Sequence, residues 1–178
     1  MTKKTVLVVT GPTASGKSAL ALAFARLRGG CVINADAMQT YDAFPILTAQ
    51  PTASERAAVP HALYGVLPLS RNLSAGRWTA MASAEIERCL SAGQVPILCG
   101  GSGLYIRTLM QGISPVPEVP GEIRERGNAE WESMGAAAFR ARLAERDPEI
   151  VAVLKPADRQ RHVRAWEVLD RKSTRLNS

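Results

Sequence analysis

The sequence predicts a parallel, three-layer α/β domain followed by an all-helical segment. Three observations predict it. Strand-like and helix-like patterns alternate through the first 112 residues, as they do when a parallel sheet is sandwiched between helices. A glycine-bounded loop of spacing G-x-x-x-x-G-K-S joins the first strand to the first helix. Beyond the proline-spaced stretch Ser114-Pro115-Val116-Pro117-Glu118-Val119-Pro120 only helical patterning remains, and such a stretch reads as a stiff linker.

The elements follow in order. The apolar run Thr5-Val6-Leu7-Val8-Val9-Thr10 is the first strand. It enters the loop Gly11, Pro12, Thr13, Ala14, Ser15, Gly16, Lys17 and Ser18. Glycines let successive N–H groups curl toward one centre and form an anion nest. The helix that follows adds unpaired N–H donors and the positive end of its dipole. Lys17 supplies a cation for a terminal phosphate, and the Ser18 hydroxyl is a ligand for Mg²⁺. The loop therefore binds a diphosphate or triphosphate without saying which. The first helix has an Ala/Leu face and stops at Gly29-Gly30, a helix-ending signal. Cys31-Val32-Ile33-Asn34-Ala35 is the second strand.

Asp36 stands just past that strand, where side chains of an open parallel sheet line the ligand crevice. It reads as an Mg²⁺ ligand, a general base or a plain loop carboxylate. Gln39 has an amide able to read a base edge, though a surface Gln looks the same. Residues 42–71 carry Pro45, Pro51 and Pro60 and read as irregular. Asn72-Leu73-Ser74 is placed to cap a helix over 75–90, closed by Gly93. Residues 94–99 form another buried strand, which turns through Gly100-Gly101-Ser102-Gly103 into a helix over 104–111. That strand ends in glycines and a hydroxyl rather than the acid with which ATP hydrolases hold Mg²⁺. A plain hydrolase is disfavoured. The glycine turn receives an anion, admits a substrate backbone, or is simply tight.

After the linker, helices are expected over 122–133, 135–145, 148–154 and 156–169. On the last, Val163, Trp166 and Leu169 share one face, and Gln160, Arg161 and Arg164 another. Residues 171–178 lack an apolar period and read as a tail.

Bulk properties narrow the partners. The 178 residues are 46% hydrophobic, with net charge +6, so the chain is globular rather than disordered. Lys155, Arg159, Arg161, Arg164, Arg171, Lys172 and Arg175 outnumber Asp158, Glu167 and Asp170. A basic segment beside a phosphate site suits a nucleic acid; a solvated helical face is equally consistent with the charge alone. Cys31, Cys89 and Cys99 have no metal-binding spacing and are expected to be buried thiols. His61 and His162 lie outside any acid or nucleophile pattern, and Trp78 and Trp131 read as core anchors. No leader or membrane-spanning run is visible, so the expected location is the cytoplasm.

Several motifs in register resemble one family. They are the phosphate loop, Asn34-Ala35-Asp36-Ala37-Met38-Gln39-Thr40-Tyr41, Pro60-His61, Pro96-Ile97-Leu98-Cys99-Gly100-Gly101-Ser102-Gly103-Leu104-Tyr105, and residues 158–169. Together they resemble the tRNA dimethylallyltransferases, also called isopentenyl-tRNA or IPP transferases, over residues 5–170. The resemblance implies a P-loop NTPase-like core (residues 1–112), an inserted all-helical tRNA-binding subdomain (113–170) and a tail unlike the family (171–178). It implies transfer of a dimethylallyl group from dimethylallyl diphosphate to N6 of the adenosine 3′ of certain anticodons in tRNA, with release of diphosphate. The phosphate loop would hold the diphosphate, with Mg²⁺ on Ser18. Asp36 would be the general base and Ser102 a second catalytic residue. Asp36, Ala37, Met38, Gln39, Ser102, Arg124, Gln160, Arg161, His162, Val163 and Arg164 would contact the tRNA anticodon stem-loop. A monomer is expected.

The chain departs from the family pattern at Ala37 (usually Ser), Ser102 (usually Thr), Leu47, Gln50 (commonly Lys) and Gly65 (commonly Asp). Family members run on for a hundred residues or more, so a truncated chain would bind diphosphate weakly and transfer poorly. Two other readings share the loop: a small-molecule kinase using ATP, with Asp36 as its acid and residues 124–146 as a lid, and an inactive tRNA-binding fragment.

Overall fold

The computed structural model describes residues 5–112 and 119–176, apart from the side chains of 171–176. The residues before 5 and most of the expected linker lie outside that description. The chain divides into two compact units, Met1–Ile113 and Ser114–Ser178.

The first unit holds a four-stranded parallel sheet. Its strands are β1 (Leu7–Thr10), β2 (Gly30–Asn34), β3 (His61–Ala62) and β4 (Val95–Gly100), in spatial order β1-β4-β2-β3. Helix α1 (Lys17–Arg28) links β1 to β2; α2 (Ala53–Ala58) precedes β3; α3 (Ala75–Ser91) leads to β4, and α4 (Gly103–Gln111) leaves it. Because strand side chains alternate in direction, β2 and β4 divide their apolar residues between two cores. Cys31, Ile33 and Leu98 pack with Trp78, Ala82 and Cys89 of α3 and Tyr105 and Ile106 of α4. Val32, Ile97 and Cys99 pack with Ala21 and Ala25 of α1. Helices thus cover both faces, giving the expected three layers.

The first helix stops where Gly29 takes a left-handed conformation, φ 63°, and its N–H bonds Ala25 O. Ser74 accepts the Arg77 N–H at the start of α3. The irregular reading of residues 42–71 needs correction, since α2 and β3 lie within it. The signal for α2 is Thr52-x-x-Glu55, a reciprocal capping box in this structure. Its brevity and the prolines around it hid it.

The second unit consists of α5 (Gly121–Arg146), α6 (Pro148–Val153) and α7 (Arg159–Leu176). Gly135 breaks α5 with φ 76°, where the sequence pattern separated two helices. Phe139, Leu143, Val151, Val163 and Trp166 form the core. A Cβ on Gly127 would lie 2.9 Å from the Trp166 ring, so this glycine lets α5 approach α7. The last helix starts three residues later than expected, after Asp158, whose carboxylate accepts the Arg161 N–H. It continues to Leu176, past the boundary at 170 expected for the tail. Among the described residues no helix is long and apolar enough to cross a membrane.

Candidate active site

The phosphate loop is shaped by its backbone. Gly16 (φ 80°) and Ala14 (φ 63°) both take positive φ. Gly16 caps α1 without a side-chain bond, and the first turn of α1 contains no acid. The helix N–H donors and dipole therefore face the loop without a competing carboxylate. The Lys17 ammonium donates to Pro12 O at 3.0 Å, which holds it against the loop.

Asp36 is held by a buried network. Asn34 is wholly buried. Its Oδ1 accepts the Asp36 N–H at 2.8 Å. Its Nδ2 reaches Asp36 O, Thr40 Oγ1 and Leu63 O at 2.9, 3.0 and 3.0 Å. The Thr40 hydroxyl also donates to Asp36 O. One carboxylate oxygen, Oδ1, accepts the Met38 N–H at 2.9 Å. The Ser102 hydroxyl accepts the Ala37 N–H at 3.0 Å, and the Ser102 N–H donates to Ala35 O. Ser102 therefore ties the turn after β4 to the Asp36 loop. We expect Asn34→Ala to destabilise the chain by about 2–3 kcal/mol by stranding the Asp36 N–H and the carbonyls around it. Urea denaturation measures this loss.

The turn also aligns the two halves of the site. A Cβ placed on Gly101 would lie 3.6 Å from Gly11 O and 3.9 Å from Asp36 Oδ2. The carboxylate and the start of the phosphate loop therefore flank one glycine. Gly100 has a different cause. A Cβ there would fall 2.1 Å from Ala35 C and 2.6 Å from Asp36 N. The backbone this glycine admits belongs to the chain itself, not to a substrate or anion.

Nearby acids hold their protons. Burial pushes the Cys99 thiol up, against the opposing effects of the Ser18 hydroxyl and Lys17. Burial likewise raises the Tyr64 phenol, and raises Tyr105 with help from Tyr41 and Asp36. Burial lowers His61, which favours its neutral form.

A cavity of about 50 Å³ opens beside Ser18, lined among others by Leu22, Val32, Gln50, His61 and Tyr64. Sequence reasoning set His61 aside and did not single out Tyr64; β3 and the loop after it bring them there. Gln39 also lines the cavity. Its amide nitrogen donates to Thr48 O and Ala49 O, so that half of its base-reading capacity supports the loop instead. Two departures from the family pattern are neighbours: a Cβ on Gly65 would lie 3.1 Å from Gln50 Oε1. Among the described residues no group of three or more His, Cys, Asp or Glu could hold a metal ion.

In the helical unit, Gln160 and Arg161 are exposed on α7. Arg124 and Arg164 are roughly half exposed, and both reach Glu167. His162 and Val163 require correction as RNA contacts. Val163 is core. His162 is fully buried, its Nδ1 against Asp158 O and its Nε2 against Arg140 Nη1. The family resemblance put residues 160–164 together as one contact segment, but on a helix His162 and Val163 turn inward, Val163 on the face its apolar period already gave it. Much of the basic charge is also spent internally. Arg126 pairs with Asp170, Arg142 with Glu130, Arg159 with Glu132 and Arg161 with Asp158.

A G-x-x-x-x-G-K-S loop at a helix N-terminus, beside a hydrogen-bonded carboxylate at the end of a parallel strand, defines an α/β chain with a P-loop NTPase-like core. The family model described as IPP transferase matches residues 39–178, and the chain belongs to that family. It is 49% identical over 164 residues to the tRNA dimethylallyltransferase of Rhodospirillum centenum, covering 92% of this chain and 52% of that protein. It is 51% identical over 168 residues to that of Granulibacter bethesdensis, covering 94% and 53%. The chain thus spans about half the length of the curated relatives it matches. Among solved structures it resembles the tRNA isopentenylpyrophosphate transferase of Bacillus halodurans, with TM-score 0.61 and 30% identity over 94% of this chain and 56% of the other. It also resembles a eukaryotic dimethylallyltransferase crystallised acting on tRNA, with TM-score 0.79 and 27% identity over 99% and 45%.

Proposed function

We propose that this chain transfers a dimethylallyl group from dimethylallyl diphosphate to N6 of the adenosine 3′ of the anticodon in tRNA. One observation carries the reading: the Asp36 carboxylate and Gly11, at the start of the phosphate loop, both come within 4 Å of the Cβ position of Gly101. A nucleophile activated at Asp36 then lies close to a diphosphate held by residues 11–18. The adenine N6 attacks the allylic carbon of the prenyl chain. The bond from that carbon to the diphosphate oxygen breaks, and its electrons leave with diphosphate. Asp36 accepts the proton that N6 sheds. Lys17, the loop N–H groups and the α1 dipole stabilise the charge that develops on the leaving group.

Mg²⁺ would sit on the Ser18 hydroxyl and on the substrate's own phosphate oxygens, neutralising their charge. A site without a carboxylate cage fits an ion that takes most of its ligands from phosphate and water. The adenosine must leave its stack to reach Asp36. Ala37 and the exposed Met38 adjoin that carboxylate and would contact the flipped nucleotide, with Ser102 fixing their loop. Arg124, Gln160, Arg161 and Arg164 would contact the RNA. The chain would act as a monomer in the cytoplasm, where its substrate is.

Incubation of the chain with an anticodon stem-loop RNA and radiolabelled dimethylallyl diphosphate tests this reading. Label in RNA supports it. Phosphoryl transfer from ATP to a small alcohol would replace it with a kinase, and RNA retention without label with a binding role alone.

A further inference from the structure

The Glu167 side chain is only 4% exposed, yet it is a carboxylate. Burying such a charge is costly unless partners compensate it. Two do so, from different helices. Oε1 lies 3.5 Å from Arg124 Nε on α5, and Oε2 lies 2.8 Å from Arg164 Nη1 on α7. Each oxygen of one carboxylate thus holds one guanidinium. The arginine side chains remain 53% and 43% exposed. A guanidinium has five N–H donors, so each arginine keeps donors beyond the one that meets Glu167.

Charge at this carboxylate is not balanced one for one. Arg142 with Glu130, Arg159 with Glu132, and Arg161 with Asp158 set one cation against one anion. Glu167 is shared by two cations, which leaves a net positive charge on two adjacent, oriented forks. Such forks match phosphate oxygens in geometry as well as charge.

We propose that Glu167 is a positioning residue that fixes Arg124 and Arg164 side by side as a two-guanidinium clamp for RNA backbone phosphate. The proposal rests on the tRNA reading above. It makes an unusual demand of sign. Glu167→Gln removes a negative charge, so bulk electrostatics alone would tighten RNA binding and steepen its salt dependence. A clamp that loses its anchor behaves oppositely, because both arginines regain rotamer freedom.

Binding of a fluorescent anticodon stem-loop to the 178-residue chain, titrated at several salt concentrations, tests the proposal. Glu167→Gln is expected to weaken binding about tenfold and to flatten the salt slope by about one phosphate. Thermal unfolding of the variant confirms that it is folded. Arg124→Ala, Arg164→Ala and their double variant give a second route that leaves Glu167 in place. For a clamp acting as a unit, the double variant is little weaker than either single one. Equal or tighter binding by Glu167→Gln, or arginine losses that multiply independently, would overturn the clamp while leaving the tRNA reading intact. Failure of the unsubstituted chain to bind the stem-loop would overturn that reading and the clamp with it.

Discussion

Asp36→Asn is expected to lower the single-turnover rate of dimethylallyl transfer by roughly 10²–10⁴-fold with little change in stability. The size follows from the chemistry. An adenine N6 that forms a bond to carbon must lose a proton, and the role proposed for Asp36 is to accept it. The neighbours are poor substitutes, since burial holds the Cys99 thiol and the Tyr64 and Tyr105 phenols in their protonated forms. Stability is spared because Asn keeps an oxygen to accept the Met38 N–H, and the Asn34 bonds involve the Asp36 backbone rather than its side chain. Rapid-quench assays with enzyme in excess measure the rate, and thermal unfolding checks the fold. A loss of less than about fivefold would remove Asp36 from proton transfer, whose usual contribution is far larger.

Gly100→Ala is expected to cost about 3 kcal/mol or more in stability and to abolish transfer. Overpacking a close-packed interior commonly costs 1–3 kcal/mol when side chains are able to shift. Here the new Cβ would meet backbone, at 2.1 Å from Ala35 C and 2.2 Å from Ala35 O. Relief requires β4 and the end of β2 to part, and Asp36 hangs on that end. The same substitution three residues later provides the control. A Cβ on Gly103 meets nothing within 4 Å, so Gly103→Ala should change stability by no more than about 0.5 kcal/mol. Urea denaturation of the two variants side by side distinguishes a strand contact from a general intolerance of the turn.

These two residues also show what a sequence conveys. Asp36 was legible because its signal is local: an apolar run ends, and a carboxylate follows at the edge of a sheet that carries a phosphate loop. The loop, strands β1, β2 and β4, and the helix stop at Gly29 are local in the same way. Gly100 was visible as a glycine, but its reason was not. The backbone it admits lies at Ala35, distant in sequence and brought close only by strand pairing. His162 and Val163 misled for a different cause. Helical phase had put Val163 on the apolar face with Trp166, as the core has it, and only the family segment, taken as an unbroken run, made RNA contacts of the two. The basic segment looked more cationic than it is, because Glu132 on α5 pairs with Arg159 on α7. Glu167 was half legible: Arg164 stands three residues before it on the same helix, but only tertiary structure brings Arg124 to its other oxygen.

The central claim is that one site joins a prenyl group to an adenine nitrogen as diphosphate departs. The most direct test digests RNA from the labelled reaction to nucleosides and counts diphosphate in the same sample. Label is expected on N6 of the single adenosine 3′ of the anticodon, with one diphosphate released per label and both lost together in Asp36→Asn. Diphosphate released without label in RNA, or label at other adenosines that survives Asp36→Asn, would contradict it.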